Sequence, residues 1–235
     1  VAPPGGKTVD YWLVVPAAGS GRRMGAASPK QYLTLAGRTV LEHALAPFLA
    51  DERCRGICIA VAPDDGQFGA LSVARHPRVH RVAGGAERRD SVAAGLAALA
   101  GLGAAEDDWV LVHDAARPCL ARADLERLLE ALPGSPDGAL LAVPIADTVK
   151  RAGPDGRSDG TVERAGLWRA LTPQAAPLGR LREALARTGL VTDEAGALEL
   201  AGLRPRLVPG AATNVKVTEP ADLEFARLVL SGGIR

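Results

Sequence analysis

Short runs of core-type residues, each followed by a stretch with helical periodicity, recur along this chain and leave it few folds to choose from. Tyr11–Pro16 (YWLVVP) is the first such run, and a glycine-rich loop ends it. Thr39–Ala50 then places Leu41, Ala44, Leu45 and Phe48 at helical spacing. Ile57–Val61 and the shorter Val79–Val82 read as strands, with a loop and a short helix expected across Asp64–Arg75. Ser91–Leu102 carries Val92, Leu96 and Leu99 on one face, which predicts a helix despite Gly95. Trp109–Val112 and Ala139–Ile145 read as strands flanking a helix across Asp124–Leu132. Strands alternating with helices predict an α/β fold with a mostly parallel sheet.

Asp147–Arg169 breaks this rhythm. Two β-prone pieces, Thr148–Arg151 and Thr161–Arg164, flank the turn cluster GPDGRSD, the pattern of an inserted hairpin. A two-stranded ribbon is marginal alone in water, so it is expected to pack on something, a second subunit among the options. Helices near Leu178–Thr188 and Asp193–Ala201 follow, then strands at Arg206–Val208 and Asn214–Val217. Thr218 is expected to cap a closing helix that tolerates Pro220 in its first turn.

Composition removes several function classes. A chain of 235 residues corresponds to one generous domain, at roughly 150 residues per domain. Lys+Arg 28 against Asp+Glu 27 lacks the basic excess of a nucleic-acid binder. Aromatics at 3% leave little for stacking on single strands. No apolar stretch approaches the roughly 20 residues of a membrane span. The first residues, VAPPGGKTVD, lack a basic region followed by a hydrophobic run, so no secretion signal is expected. Cys54 and Cys58 lack neighbouring third and fourth zinc ligands, and with Cys119 they read as buried free thiols of a reducing cytosol. His76 and His80 are separated by Pro77, which argues against a helical ligand pair.

Five segments carry chemistry. Pro16–Lys30 (PAAGSGRRMGAASPK) leaves the first strand with Gly19 and Gly21 able to bring backbone N–H groups close to an anion. Its third glycine is misplaced for a dinucleotide fingerprint, no G-K-[ST] makes it a Walker loop, and Arg22, Arg23 and Lys30 concentrate positive charge. That charge suits a triphosphate attacked at its α-phosphorus. Gly84–Ser91 (GGAERRDS) runs into a helix start, where exposed N–H groups hold either polar ligand atoms or a plain cap. His113–Pro118 (HDAARP) leaves a strand at the edge where such sheets bind ligands, so Asp114 suits a ribose hydroxyl or a hydrated Mg²⁺, or caps the turn. Thr192–Glu194 reads as a helix N-cap with first-turn acids. Lys216, in the expected strand NVKVT, either points inward to an anion or protects an edge.

PAAGSGRRM…PKQ, GGAERRDSV, VHDAARP, TDEA and NVKVTEPADL, in this order and spacing, resemble the 2-C-methyl-D-erythritol 4-phosphate cytidylyltransferase family of the non-mevalonate isoprenoid pathway. The resemblance runs from about Val14 to Leu228. It implies a Rossmann-like nucleotidyltransferase domain over residues 11–235, with a disordered segment at 1–10 and a dimerisation arm at about 147–169. It also implies a cytoplasmic, Mg²⁺-dependent homodimer acting on CTP and the methylerythritol phosphate. Ala17, Ala18, Gly19 and Gly21 would line the CTP site, with Arg23 and Lys30 stabilising the transition state. Gly85, Arg88 and Ser91 would hold the cytosine end, and Asp114 the ribose and the metal, with Ala115 beside it. Arg117, Thr148, Arg164, Thr172, Thr192 and Lys216 would form the acceptor pocket, Arg164 reaching in from the partner. A ribitol 5-phosphate cytidylyltransferase and a non-catalytic nucleotide-binding regulator are the alternatives.

Overall fold

The computed structural model describes residues 9–19, 28–187, 189 and 191–233. A seven-stranded sheet forms the centre. Its strands in chain order are β1 (Tyr11–Pro16), β4 (Cys54–Val61), β5 (Val79–Ala83), β6 (Trp109–Val112), β7 (Ala139–Pro144), β10 (Trp168–Pro177) and β11 (Arg206–Pro209). Two short pairs lie outside it: β2 (Thr34–Leu35) with β3 (Arg38–Thr39), and β8 (Val149–Ala152) with β9 (Ser158–Val162). The spatial order is β11-β7-β10-β6-β1-β4-β5, and only β10 runs antiparallel to its neighbours.

Helices cover both faces, and the pleat of β1 shows why. Tyr11, Leu13 and Val15 point to one face, joining Leu41, Leu45 and Phe48 of α1 (Val40–Leu49) and Leu125, Leu128 and Leu129 of α3 (Arg122–Ala131). Trp12 and Val14 point to the other, joining Val92, Leu96 and Leu99 of α2 (Arg88–Gly101). Leu178, Leu181 and Leu185 of α4 (Leu178–Arg187) and Leu198 of α5 (Glu194–Leu200) complete that layer. Strands buried on both sides read as continuous apolar runs, which is why β1 shows no polar alternation. Gly95 belongs in α2 for a steric reason. A Cβ there would lie 2.5 Å from Val14 Cγ1, so the glycine lets the helix approach β1 closely.

The structure corrects several expectations. A ten-residue strand, β10, occupies the centre of the sheet where the sequence predicts none. Its small residues and two prolines disguise it, and the register shift between Ala170 and Gln174 accommodates Pro173. Asn214–Val217 is not a strand. Asn214 spends its side-chain amide on the Thr172 carbonyl and its own carbonyl on Arg117, so the segment crosses the strand ends instead of joining them. Cys54 and Cys58 fall in opposite cores because the register shifts where Tyr11 and Trp12 meet β4. Burial pushes the Cys54 thiol up to about 12 and those of Cys58 and Cys119 to about 11. Thr192 and Thr218 are not N-caps. Asp193 caps α5 by accepting from Gly196 N, and Glu219 precedes α6 (Pro220–Leu230) in a capping box with Asp222.

The arm at β8 and β9 forms as an antiparallel hairpin pairing Val149 with Val162 and Lys150 with Thr161. Residues 1–8 lie outside the described part of the chain, and Val9 packs half-buried on the core beside β1.

Candidate functional site

The chain leaves β1 to one side through α1 and β4, then returns across the sheet through α2 to β6. The crevice between β1 and β6 is therefore a topological switch point, where doubly wound sheets bind ligands. A cleft of about 310 Å³ opens there. Pro16–Gly19 from β1, Gly85–Arg88 and Ser91 at the start of α2, and Asp114–Ala116 from β6 line it, with Lys30, Gln31, Lys216 and Thr218.

Each wall is fixed by hydrogen bonds. Gln31, buried at 4% exposure, donates from Nε2 to the carbonyls of Ala17 at 2.7 Å and Gly19 at 3.2 Å. Ser91 accepts from Gly85 N at 3.2 Å and donates to the Glu87 carbonyl, holding the turn into α2. Gly84 must be small, since a Cβ would sit 2.6 Å from Ala18 Cβ and jam the two loops together. Below the cleft, the fully buried His113 ties the β6 loop. Its Nε2 meets the Arg117 carbonyl at 3.2 Å and its Nδ1 the Thr172 hydroxyl at 3.0 Å, while that hydroxyl accepts from Asp114 N at 3.1 Å.

Charge converges on Asp114. Arg88 Nε reaches its Oδ1 at 3.1 Å, Lys216 Nζ its Oδ2 at 3.0 Å, and Arg117 Nε the same oxygen at 3.4 Å. Burial alone would raise this carboxyl; Arg88, Lys216 and Arg117 overcome that and hold it well below the usual carboxylate range. Arg88 is also gripped by Glu194, with Nη1–Oε1 at 2.6 Å and Nη2–Oε2 at 2.9 Å. Burial pushes the Glu194 carboxyl up, and Arg88 opposes it. Burial works against the Arg88 guanidinium, and the Glu194 and Asp114 carboxylates more than offset it.

The expected site residues divide into five groups. Ala17, Ala18, Gly19, Lys30, Gly85, Arg88, Ser91, Asp114, Ala115 and Lys216 come together in the cleft. Thr172 and Arg117 lie beneath it as buried supports; Arg117 Nη1 donates to the Asn214 carbonyl at 2.7 Å. Thr148 and Arg164 sit on the arm, where they line a separate hollow with Thr161, Val162 and Glu163. Thr192 is exposed just before Asp193, and Gly21 and Arg23 lie outside the described residues. Sequence reasoning missed His113, Gln31 and Glu194, although all three stand inside or beside the quoted motifs. It also missed Gln174, which holds the start of α5 by donating to Asp193 Oδ2 at 2.9 Å and accepting from Ala195 N at 2.7 Å.

A mostly parallel α/β sheet with cations gathered at the carboxyl edge of its central strands defines the class, an α/β protein whose switch-point cleft suits a phosphate-bearing ligand. Comparison narrows it. The family model for 2-C-methyl-D-erythritol 4-phosphate cytidylyltransferase (IspD) matches residues 11–232. The protein of that name from Pseudomonas putida is 52% identical over 221 residues, covering 92% of this chain and 94% of that protein. Its counterpart from Acidithiobacillus ferrooxidans is 54% identical over 228 residues, covering 94% and 96%. A crystal structure of a 4-diphosphocytidyl-2C-methyl-D-erythritol synthase aligns with TM-score 0.84 at 41% identity, covering 94% of this chain and 99% of that one. The cytidylyltransferase from Thermus thermophilus aligns at 0.76 and 32%, covering 93% and 98%. The chain belongs to the 2-C-methyl-D-erythritol 4-phosphate cytidylyltransferase family.

Proposed function

We propose that this protein transfers CMP from CTP to 2-C-methyl-D-erythritol 4-phosphate, releasing pyrophosphate, in isoprenoid precursor synthesis. The observation that carries the reading is the gathering of Lys30, Arg88 and Lys216 around one cleft at the switch point. A site that brings two phosphorylated substrates together needs such a concentration of positive charge.

The acceptor phosphate oxygen attacks the α-phosphorus, a new P–O bond forms, and the bond to the β-phosphate oxygen breaks with its electron pair leaving on pyrophosphate. An acceptor phosphate is largely anionic near pH 7, so no general base is required. Mutual repulsion of the anions sets the barrier. The chain's work is alignment and neutralisation, with Lys30 and Arg23 on the developing charge and Lys216 and Arg164 on the acceptor phosphate. In this reading Gly85 and Ser91 read the base and Asp114 orients the ribose beside Ala115. Thr148 and Thr192 border the acceptor, whereas Thr172 and Arg117 hold the Asp114 loop from below.

Magnesium belongs to the same proposal as a passenger of the triphosphate. Asp114 is the one buried carboxylate among the described cleft residues, and both its oxygens already face cations. Among the described residues no cluster of three His, Cys, Asp or Glu could cage an ion. These residues do not fit a resident metal. An ion carried on the nucleotide neutralises phosphate oxygens when bound.

The arm at β8 and β9 is read as the homodimer contact that presents Arg164 to the partner's cleft. No described helix is long and apolar enough to cross a membrane, and the proposed location is the cytoplasm. Pyrophosphate release, measured with CTP against a panel of polyol phosphates, tests the function. Turnover with the methylerythritol phosphate is expected; turnover only with ribitol 5-phosphate, or CTP binding without turnover, would overturn it.

A further inference from the structure

Glu194 does not line the cleft, yet it is 2% exposed and carries a carboxylate. A buried carboxylate is costly unless its partner is well placed. Its partner is the Arg88 guanidinium, held in a two-pronged fork at 2.6 and 2.9 Å while Nε of the same group reaches Asp114 at 3.1 Å. Such a fork fixes the plane of a guanidinium as well as its position.

The post that bears Glu194 is itself rigid. Asp193 caps α5 on Gly196 N at 2.9 Å, and Gln174 of β10 clamps the same turn through Asp193 Oδ2 and Ala195 N. A line of contacts thus runs from the sheet through α5 to an arginine on the cleft wall.

We propose that Glu194 is a positioning residue for nucleotide binding: it holds Arg88 in the orientation the nucleotide meets, so the cost of ordering that side chain is met on folding. This rests on the reading of Arg88 as a CTP-site residue. Freezing one long, rotamer-rich side chain only on binding lowers affinity by about tenfold. In E194Q the fork loses its charge and Arg88 regains freedom.

The test is a double-mutant cycle on CTP affinity, measured by calorimetry without acceptor, for wild type, E194Q, R88A and R88A/E194Q. E194Q is expected to weaken CTP about tenfold in the wild-type background and less than twofold where Arg88 is already alanine. In turnover it should raise KM for CTP about tenfold while kcat changes far less. Equal weakening in both backgrounds, or none in either, overturns the proposal. Unchanged CTP affinity in R88A refutes instead the placing of Arg88 in the nucleotide site. Melting curves establish that each variant folds. Should E194Q not fold, E194D keeps the charge and withdraws it by one methylene; at least a threefold loss of CTP affinity is then expected, and unchanged affinity overturns the proposal.

Discussion

His113 gives the account a pH dependence that can be worked out in advance. Its Nε2 faces the Arg117 carbonyl, which can only accept, so Nε2 carries the proton. The Thr172 hydroxyl accepts from Asp114 N, so its own hydrogen is available to Nδ1. The ring is therefore neutral with a defined tautomer, and it lies tilted against Phe48 with the ring centres 5.1 Å apart. Burial pushes its pKa down from 6.5 to about 4. A histidine lowered on folding takes up its proton more readily in the unfolded chain. Its contribution is intact above pH 6.5 and is lost progressively as pH falls towards about 4. The full loss is about 3 kcal/mol, of which about 2 kcal/mol falls between pH 7.5 and 5.0. Asp114 acts in a lower window, since a depressed carboxyl loses its contribution only as pH falls through the carboxylate range. H113N places an amide oxygen near Nδ1 to accept from Thr172 and removes the titration. Urea unfolding at both pH values is expected to show wild type losing about 2 kcal/mol more than H113N. Equal losses would refute a neutral, buried His113 at the heart of the loop.

Two further outcomes bear on the site itself. K30A and R23A are each expected to lower turnover by about 10²–10³ while changing CTP affinity much less, because charge grows on the phosphates in the transition state. Turnover near wild type in either would remove that residue from the mechanism. Arg164 is expected to serve the partner's cleft, so co-refolding equal amounts of inactive R23A and R164A chains should restore about a quarter of wild-type activity through mixed dimers. A mixture no more active than its parents would place Arg164 in its own chain's site or away from the substrate.

The fold was legible where hydrophobic pattern decides it. β1, β4 and β6 are buried on both faces, so their apolar runs announce them, and α1 declares its face through Leu41, Leu45 and Phe48. β10 was hidden because a central strand built from LTPQAAP owes its place to fit between β6 and β7 rather than to propensity. The cleft residues announced themselves through glycines and cations bunched after strands. Glu194 did not, because an acid in the first turn of a helix has an ordinary local explanation, and only the tertiary fold brings it against Arg88. Lys216 was legible as a lysine in need of an anion, but its partner in this structure is Asp114, about a hundred residues away in sequence. Thr172 was expected at the ligand and stands one layer below, its hydroxyl already engaged on both sides.

Phosphorus-31 NMR of the protein mixed with CTP, Mg²⁺ and 2-C-methyl-D-erythritol 4-phosphate tests the central claim most directly. The acceptor's monoester resonance and the triphosphate resonances are expected to disappear together. A coupled pair of diphosphate-ester resonances and pyrophosphate should replace them in equal amounts. Persistence of the monoester signal, with the triphosphate intact or cut to CDP and inorganic phosphate, would contradict it.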